Sequence, residues 1–324
     1  MKCRRCREPA VIDVRRHNAG FCSECFTRHC REQVRRAIED HDMIHESDRI
    51  LVAVSGGKDS LGLWQLLREL GYEADGLYVG LGIGSYSDRS GDYARAFAKE
   101  HDWPLLEIDL QDTYGFDIPG GARAAKRVPC SACGLSKRHV FNDAAMSNGY
   151  DILATGHNLD DEAAVLLGNV LRWDAGYLGR QHPVLPAAPG FVRKVKPLVR
   201  LGERELAAYC VLTGIDYIVE ECPMAVGNRH LGYKDMLNQV EERSPGTKAA
   251  FLFGFIERGH DRFAGDAVEE REDLRPCSEC GAPTPGEVCA FCKLRSRASA
   301  ARIPVRVDHA EIDHAEIDHA EIEA

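Results

Sequence analysis

No stretch of the 324-residue chain approaches the run of about 20 apolar residues that a membrane-spanning helix needs. The opening residues Met1-Lys2-Cys3-Arg4-Arg5-Cys6 have no apolar segment behind them, so no signal peptide and no membrane partner are expected and the chain is read as cytoplasmic. The 13 cysteines lack the scatter of a disulfide framework. Eleven lie in Cys-x-x-Cys spacings or beside other reactive residues, which in an intracellular chain favours metal sites. Lys and Arg are missing from Asp308 to Ala324, which carries seven acidic residues, and Asp266 to Asp273 is acidic too.

The net charge of −10 therefore hides local excesses of the other sign. Residues 1–36 hold ten basic and four acidic side chains. Residues 118–142 hold five basic and no acidic ones, as do residues 288–307. Local patches rather than the total decide contact with a phosphate backbone, so these stretches are either solvated faces or RNA contacts.

The chain divides into five parts: a cysteine-rich module at 1–27, a polar helical connector at 28–48, a core at 49–265, a second cysteine-rich module at 266–300, and a low-complexity acidic tail at 301–324. The tail repeats Asp-His-Ala-Glu-Ile. Its histidines His309, His314 and His319 recur every five residues, which drifts around a helix and gives no single ligand face. Within the core, strand-like runs at Ile50–Val54, Ala74–Leu81, Leu105–Leu110, Ile152–Thr155 and Ile215–Val219 alternate with helical patterns. That alternation predicts an α/β fold with a doubly wound parallel sheet, whose ligands bind at the carboxyl ends of the strands.

Ser55-Gly56-Gly57-Lys58-Asp59-Ser60 directly follows the first core strand and precedes a helix. Two glycines let the backbone approach a phosphate, the helix N-terminus adds positive potential, and Lys58 adds a charge. It is not a Walker A loop, because Val52 stands where that motif needs glycine. The simpler alternative is an ordinary tight strand–helix turn. Thr155-Gly156-His157-Asn158-Leu159-Asp160-Asp161-Glu162 ends another strand and opens another helix. Its acidic cluster suits Mg²⁺ or proton transfer, or simply caps the helix.

Cys3, Cys6, Cys22 and Cys25 fit one four-thiolate zinc site, and Cys277, Cys280, Cys289 and Cys292 fit a second. Both are expected to be structural, since four thiolates leave no open position. Cys130 and Cys133 stand apart, flanked by Arg127, Lys137 and Arg138, which are expected to lower their thiol pKa values. With Cys222 they make either a three-cysteine iron–sulfur site with one open iron, or a redox dithiol and a bystander. Cys210 reads as a core residue and Cys30 as a plain thiol.

Ser55–Ser60 resembles the PP-loop of the N-type ATP pyrophosphatases, which release pyrophosphate and leave AMP on the substrate. Together with Pro129–Arg138, Gly156-His157-Asn158, Glu221-Cys222-Pro223 and the two cysteine modules, the pattern resembles the tRNA 2-thiouridine synthetase family over about residues 1 to 300. The resemblance implies a tRNA 2-sulfurtransferase, most like those acting on 5-methyluridine 54. In it ATP adenylates the uridine C2 oxygen, and a 4Fe–4S cluster on Cys130, Cys133 and Cys222 carries the sulfur. Lys137 and Asp161 match the catalytic pair. Ala53, Asp59, Val79 and Gly156 match nucleotide contacts beside Ser55, Gly56, Gly57, Lys58, Ser60 and Lys137. The implied partners are tRNA, a ubiquitin-like sulfur carrier with a C-terminal thiocarboxylate, and a second copy of the chain as a homodimer. Thiolation of wobble uridine 34, or another AMP-activating PP-loop enzyme acting on tRNA, is the alternative. The pentad tail has no counterpart in the resemblance.

Overall fold

A computed structural model describes residues 1–225, 229–265 and 274–300. The acidic stretch 266–273 and the tail 301–324 with its histidines lie outside the described residues. In chain order the hairpin β1 (Ile12–Val14) and β2 (Ala19–Phe21) leads into α1 (Ser23–Asp40). The core follows as β3 (Ile50–Val54), α2 (Lys58–Glu69), β4 (Ala74–Gly80), α3 (Gly84–His101), β5 (Leu105–Asp109) and α4 (Leu110–Tyr114). Next come α5 (Ile118–Ala124), α6 (Pro129–Ser147), β6 (Ile152–Thr155), α7 (Leu159–Arg172) and α8 (Ala175–Leu178). Short strands β7 (Val184–Leu185) and β8 (Arg193–Val195) precede α9 (Glu203–Thr213), α10 (Arg229–Arg243) and α11 (Thr247–Arg258). Strands β9 (Arg275–Pro276) and β10 (Pro283–Thr284) and helix α12 (Ala290–Ala300) close the described chain.

Six strands form one sheet in the order β5-β4-β3-β6-β8-β7, parallel except for the β7–β8 pair. The expected α/β architecture is present. Strand β3 carries Ile50, Leu51, Val52 and Val54 buried on both faces, the mark of a central parallel strand. Each such side chain contributes about 1.5–3 kcal/mol on burial. From β3 the chain steps outward through β4 to β5, then returns to β6 on the other side of β3. The order therefore reverses between β3 and β6, and a crevice opens past their carboxyl ends. The loop after β3 is Ser55–Gly57, and the loop after β6 is Gly156–Asn158.

One expected strand is absent. Residues Ile215–Val219 form no strand; the segment is irregular and gives the Ile218 N–H to the carbonyl of Gly56 at 2.9 Å. Its β-branched residues cover the loop after β3 instead of extending the sheet. The polar stretch after the first module is part of α1, which starts at Ser23 and buries Phe26, Cys30, Val34, Ala37 and Ile38 along one face. At the other end, α12 packs on α5 and α6. Its Phe291 is buried, stacks on His139 at 3.9 Å and meets Tyr114 edge-on at 5.0 Å.

Candidate active site and cysteine centres

The loop after β3 is held by its serines. The Ser55 N–H donates to Ser60 Oγ at 3.0 Å, and the Ser60 hydroxyl donates to the Gly57 carbonyl at 3.0 Å. Gly56 adopts φ +70°, and a Cβ there would lie 2.1 Å from the Ser90 carbonyl oxygen, so glycine is required. Gly156 approaches the start of α2 so closely that a Cβ would meet the Asp59 backbone at 3.0 Å. The two signature loops are thus packed against each other.

Ala53, Ser55, Asp59, Ser60, Val79, Lys137 and Gly156 line one cleft of about 290 Å³. Tyr86 and Phe141 give it apolar walls. A larger hollow of about 760 Å³ adjoins it on the side of Gly57 and Lys58, and Asp59 borders both.

Charges converge between the loops. Lys58 Nζ donates to Asp59 at 3.1 Å and to Glu203 at 3.0 Å. Asn158 caps α7 by accepting the N–H groups of Asp160 and Asp161, while Asp161 accepts the Asn158 N–H at 3.1 Å. The other oxygen of Asp161 pairs with Lys234 on α10 at 2.6 Å, and Lys234 also meets Glu203 at 3.2 Å. Asp160 pairs with the buried Lys248 of α11. Burial, helped by Asp161 and Glu203 and opposed by Lys58, pushes the Asp59 carboxyl up to about 6. Burial alone would lower Lys58 and Lys234; their carboxylate partners hold both above the ordinary lysine range. Glu203 and Lys234 carry no motif, so sequence reading missed them: a glutamate opening one helix and a lysine on another acquire meaning only when folded together.

Cys130 and Cys133 lie in the first turn and a half of α6, and the Cys130 thiol donates to the Met224 carbonyl at 3.1 Å, beside Cys222. All three cysteines are partly buried. Burial raises the Cys130 and Cys133 thiols; Lys137 opposes this at both, and the charge of Cys222 adds to it. The expected lowering is therefore reversed, because desolvation outweighs the lysine. The electrostatic reach of Cys222 to Cys130 and Cys133 places the three in one neighbourhood. Tyr86, on the wall of the cleft, feels the charges of Cys222 and Cys133. Lys137 lines the cleft and acts on the thiols, so cleft and cysteines share a boundary.

The thiols of Cys3, Cys6, Cys22 and Cys25 lie within 4.8 Å of one another, as do those of Cys277, Cys280, Cys289 and Cys292. Tetrahedral zinc at a Zn–S distance of about 2.3 Å needs such spacing. Both sets fit a closed zinc site. The trio Cys130, Cys133 and Cys222 supplies three thiols, the number that leaves one iron of a cubane without a protein ligand. His17, His29 and Glu205 also converge, but Arg16 already neutralises Glu205 at 2.7 Å, so the group clasps the first module onto α9.

Residues 2–27 match the family model described as the 2-thiouridine synthetase TtuA N-terminal LIM domain, and residues 26–225 match the PP-loop domain. The chain is 49% identical to a tRNA-5-methyluridine(54) 2-sulfurtransferase of Thermus thermophilus over 91% of each chain. It is 42% identical to one from Pyrococcus horikoshii, covering 90% of this chain and 93% of that one. A solved structure of the U34-tRNA thiolase NcsA from Methanococcus maripaludis with its [4Fe-4S] cluster superposes with a TM-score of 0.75. It shares 26% identity and covers 91% of this chain and 96% of that one.

Proposed function

The chain belongs to the tRNA-5-methyluridine(54) 2-sulfurtransferase family, and from that premise we propose how its site works. ATP binds in the cleft at the switch point, with Ala53, Val79 and Gly156 around the nucleoside and Ser55–Ser60 around the phosphates. Lys58 leaves Glu203 for the phosphates, and Asp59 and Asp161 are the carboxylates that would hold a Mg²⁺ accompanying them. The C2 oxygen of a tRNA uridine attacks the α-phosphorus, pyrophosphate departs, and AMP becomes the leaving group at C2. An amide-like oxygen leaves poorly and AMP leaves well, so this activation removes the main barrier. Lys137 stabilises the charge that develops on the α-phosphoryl oxygens, and Asp161 takes a proton or holds the metal.

Cys130, Cys133 and Cys222 would hold a 4Fe–4S cluster, which when bound supplies an iron with an open position for sulfide. The two four-cysteine modules, 1–27 and 266–300, hold structural zinc around the 28–48 connector and the 49–265 core. Sulfur comes from a ubiquitin-like carrier bearing a C-terminal thiocarboxylate, and the enzyme works as a homodimer in the cytoplasm. No described helix is long and apolar enough to cross a membrane.

The observation that carries this reading is Lys137: it lines the nucleotide cleft and its charge acts on Cys130 and Cys133. A PP-loop enzyme with another nucleophile would have no use for that juxtaposition. Uridine 54 is favoured over uridine 34 because the relatives above 40% identity bear the 54 name, whereas the uridine 34 thiolase shares 26%. Nucleoside mass spectrometry of position-mapped tRNA from a deletion strain tests it. Loss of the 2-thio group at position 54 is expected; loss confined to the anticodon would assign the enzyme to position 34.

A further inference from the structure

The two acid-free basic stretches meet in space. Helix α12 packs on α5 and α6, with Leu294 3.7 Å from the Cβ position of Gly121. This brings Arg127, Lys293 and Arg297 to the rim of one shallow depression of about 180 Å³. Arg123, in the last turn of α5, and Lys126 lie close to Arg127 along the chain. All five side chains are exposed, and none pairs with a carboxylate among the described residues. Arg295, their neighbour, is tied to Glu279 at 3.1 Å.

The N-terminal module and α1, residues 1–36, hold more positive charge but have largely committed it. Arg5 pairs with Glu32, Arg16 with Glu205, Arg31 with Glu69 and Arg35 with Glu39. Arg4 and Arg15 donate to backbone carbonyls, and Arg28 donates to the Cys25 thiol. Phosphates gain affinity by exchanging condensed counterions for protein cations, and a cation already neutralised by a carboxylate contributes little to that exchange.

We propose that the face of Arg127, Lys293 and Arg297, extended by Arg123 and Lys126, is the main seat of the tRNA phosphate backbone. The N-terminal module is then chiefly a clasp that holds α1 and α9 together. Position supports this. Arg127 comes two residues before α6, the helix that carries Cys130, Cys133 and Lys137, so RNA seated there lies beside the cysteine site. The inference rests on tRNA being the substrate.

The test compares full-length protein with two matched triple variants, Arg127→Ala/Lys293→Ala/Arg297→Ala and Lys2→Ala/Arg7→Ala/Arg36→Ala. The second set takes uncommitted cations of the N-terminal module and the adjoining α1. Binding of a tRNA transcript is measured from about 50 to about 200 mM salt, with zinc content and ATP binding as checks on folding. Three lost phosphate contacts reduce the slope of log affinity against log salt by about 2 to 3. The fall in affinity across that range should therefore be about 16- to 64-fold smaller for the first triple than for wild type, and the second should keep the wild-type slope. A wild-type slope in the first triple overturns the proposal, as does an equal or larger flattening in the second. Failure of the wild-type protein to bind tRNA at all would instead remove the substrate reading on which the proposal stands.

Discussion

At Lys137 one ammonium lines the cleft and acts on the Cys130 and Cys133 thiols at once. It is half-buried and makes no ion pair among the described residues, so its removal should spare the fold. Lys137→Ala is expected to lower turnover by about 10²–10³-fold with an unchanged melting midpoint, on the scale of losing one charge-stabilising donor. Near wild-type turnover would remove its catalytic role. Asp59 shows the opposite balance between fold and function. Its carboxyl is pushed up to about 6 in the folded chain against 3.8 ordinarily, so the folded state binds the extra proton. Stability therefore falls as pH rises from about 4 through about 6, and the full cost remains above that. Asp59→Asn should melt higher than wild type at pH 8, with the gap closing toward pH 4, and should lose activity. A gap that widens on acidification would contradict this. The loop residues were legible because glycines, serines and a lysine crowd into six positions between a strand and a helix, where a phosphate can be approached. Glu203 and Lys234 were not, since isolated charges on helices have no spacing to read.

The elements α10 and α11 act as a clamp on the start of α7, Lys234 holding Asp161 and Lys248 holding Asp160. Lys234→Met removes an ammonium that, with Lys58, holds the Glu203 carboxyl below the ordinary glutamate range, so that carboxyl should protonate at higher pH. The acid limb of the pH–rate profile should move to higher pH, and Lys234→Arg should restore it in part. An unshifted limb would reduce Lys234 to a packing residue. The β–α alternation was readable because strands β3, β4, β5 and β6 are short apolar runs bounded by turns. Ile215–Val219 misled for the same reason: β-branched residues suit any extended backbone, and here the partner is the Gly56 carbonyl, not a strand. The apolar face of α1 was masked by its many charged residues. The three-residue β8 and two-residue β7 are too short to show a period.

The whole molecule is a sheet with its active crevice at the reversal of strand order and a cysteine module fastened at each end. The C-terminal fastening runs through Phe291, packed on His139, Tyr114 and Phe116. Phe291→Ala should cost about 3–5 kcal/mol in denaturant unfolding, as for other buried aromatics, and zinc should become easier to chelate. A loss below about 1 kcal/mol would mean that the module is not fastened there. The central claim, that ATP is cleaved to AMP in order to exchange oxygen for sulfur on tRNA, is tested most directly by one anaerobic reaction. Reconstituted full-length protein, ATP labelled at the α-phosphate, unmodified tRNA and a sulfide source are combined, and AMP and 2-thiouridine are counted together. The account predicts AMP and pyrophosphate, with one thiolated nucleoside at position 54 per AMP when the two steps are coupled. ADP as the main product, or AMP released with no sulfur in the tRNA, would contradict it.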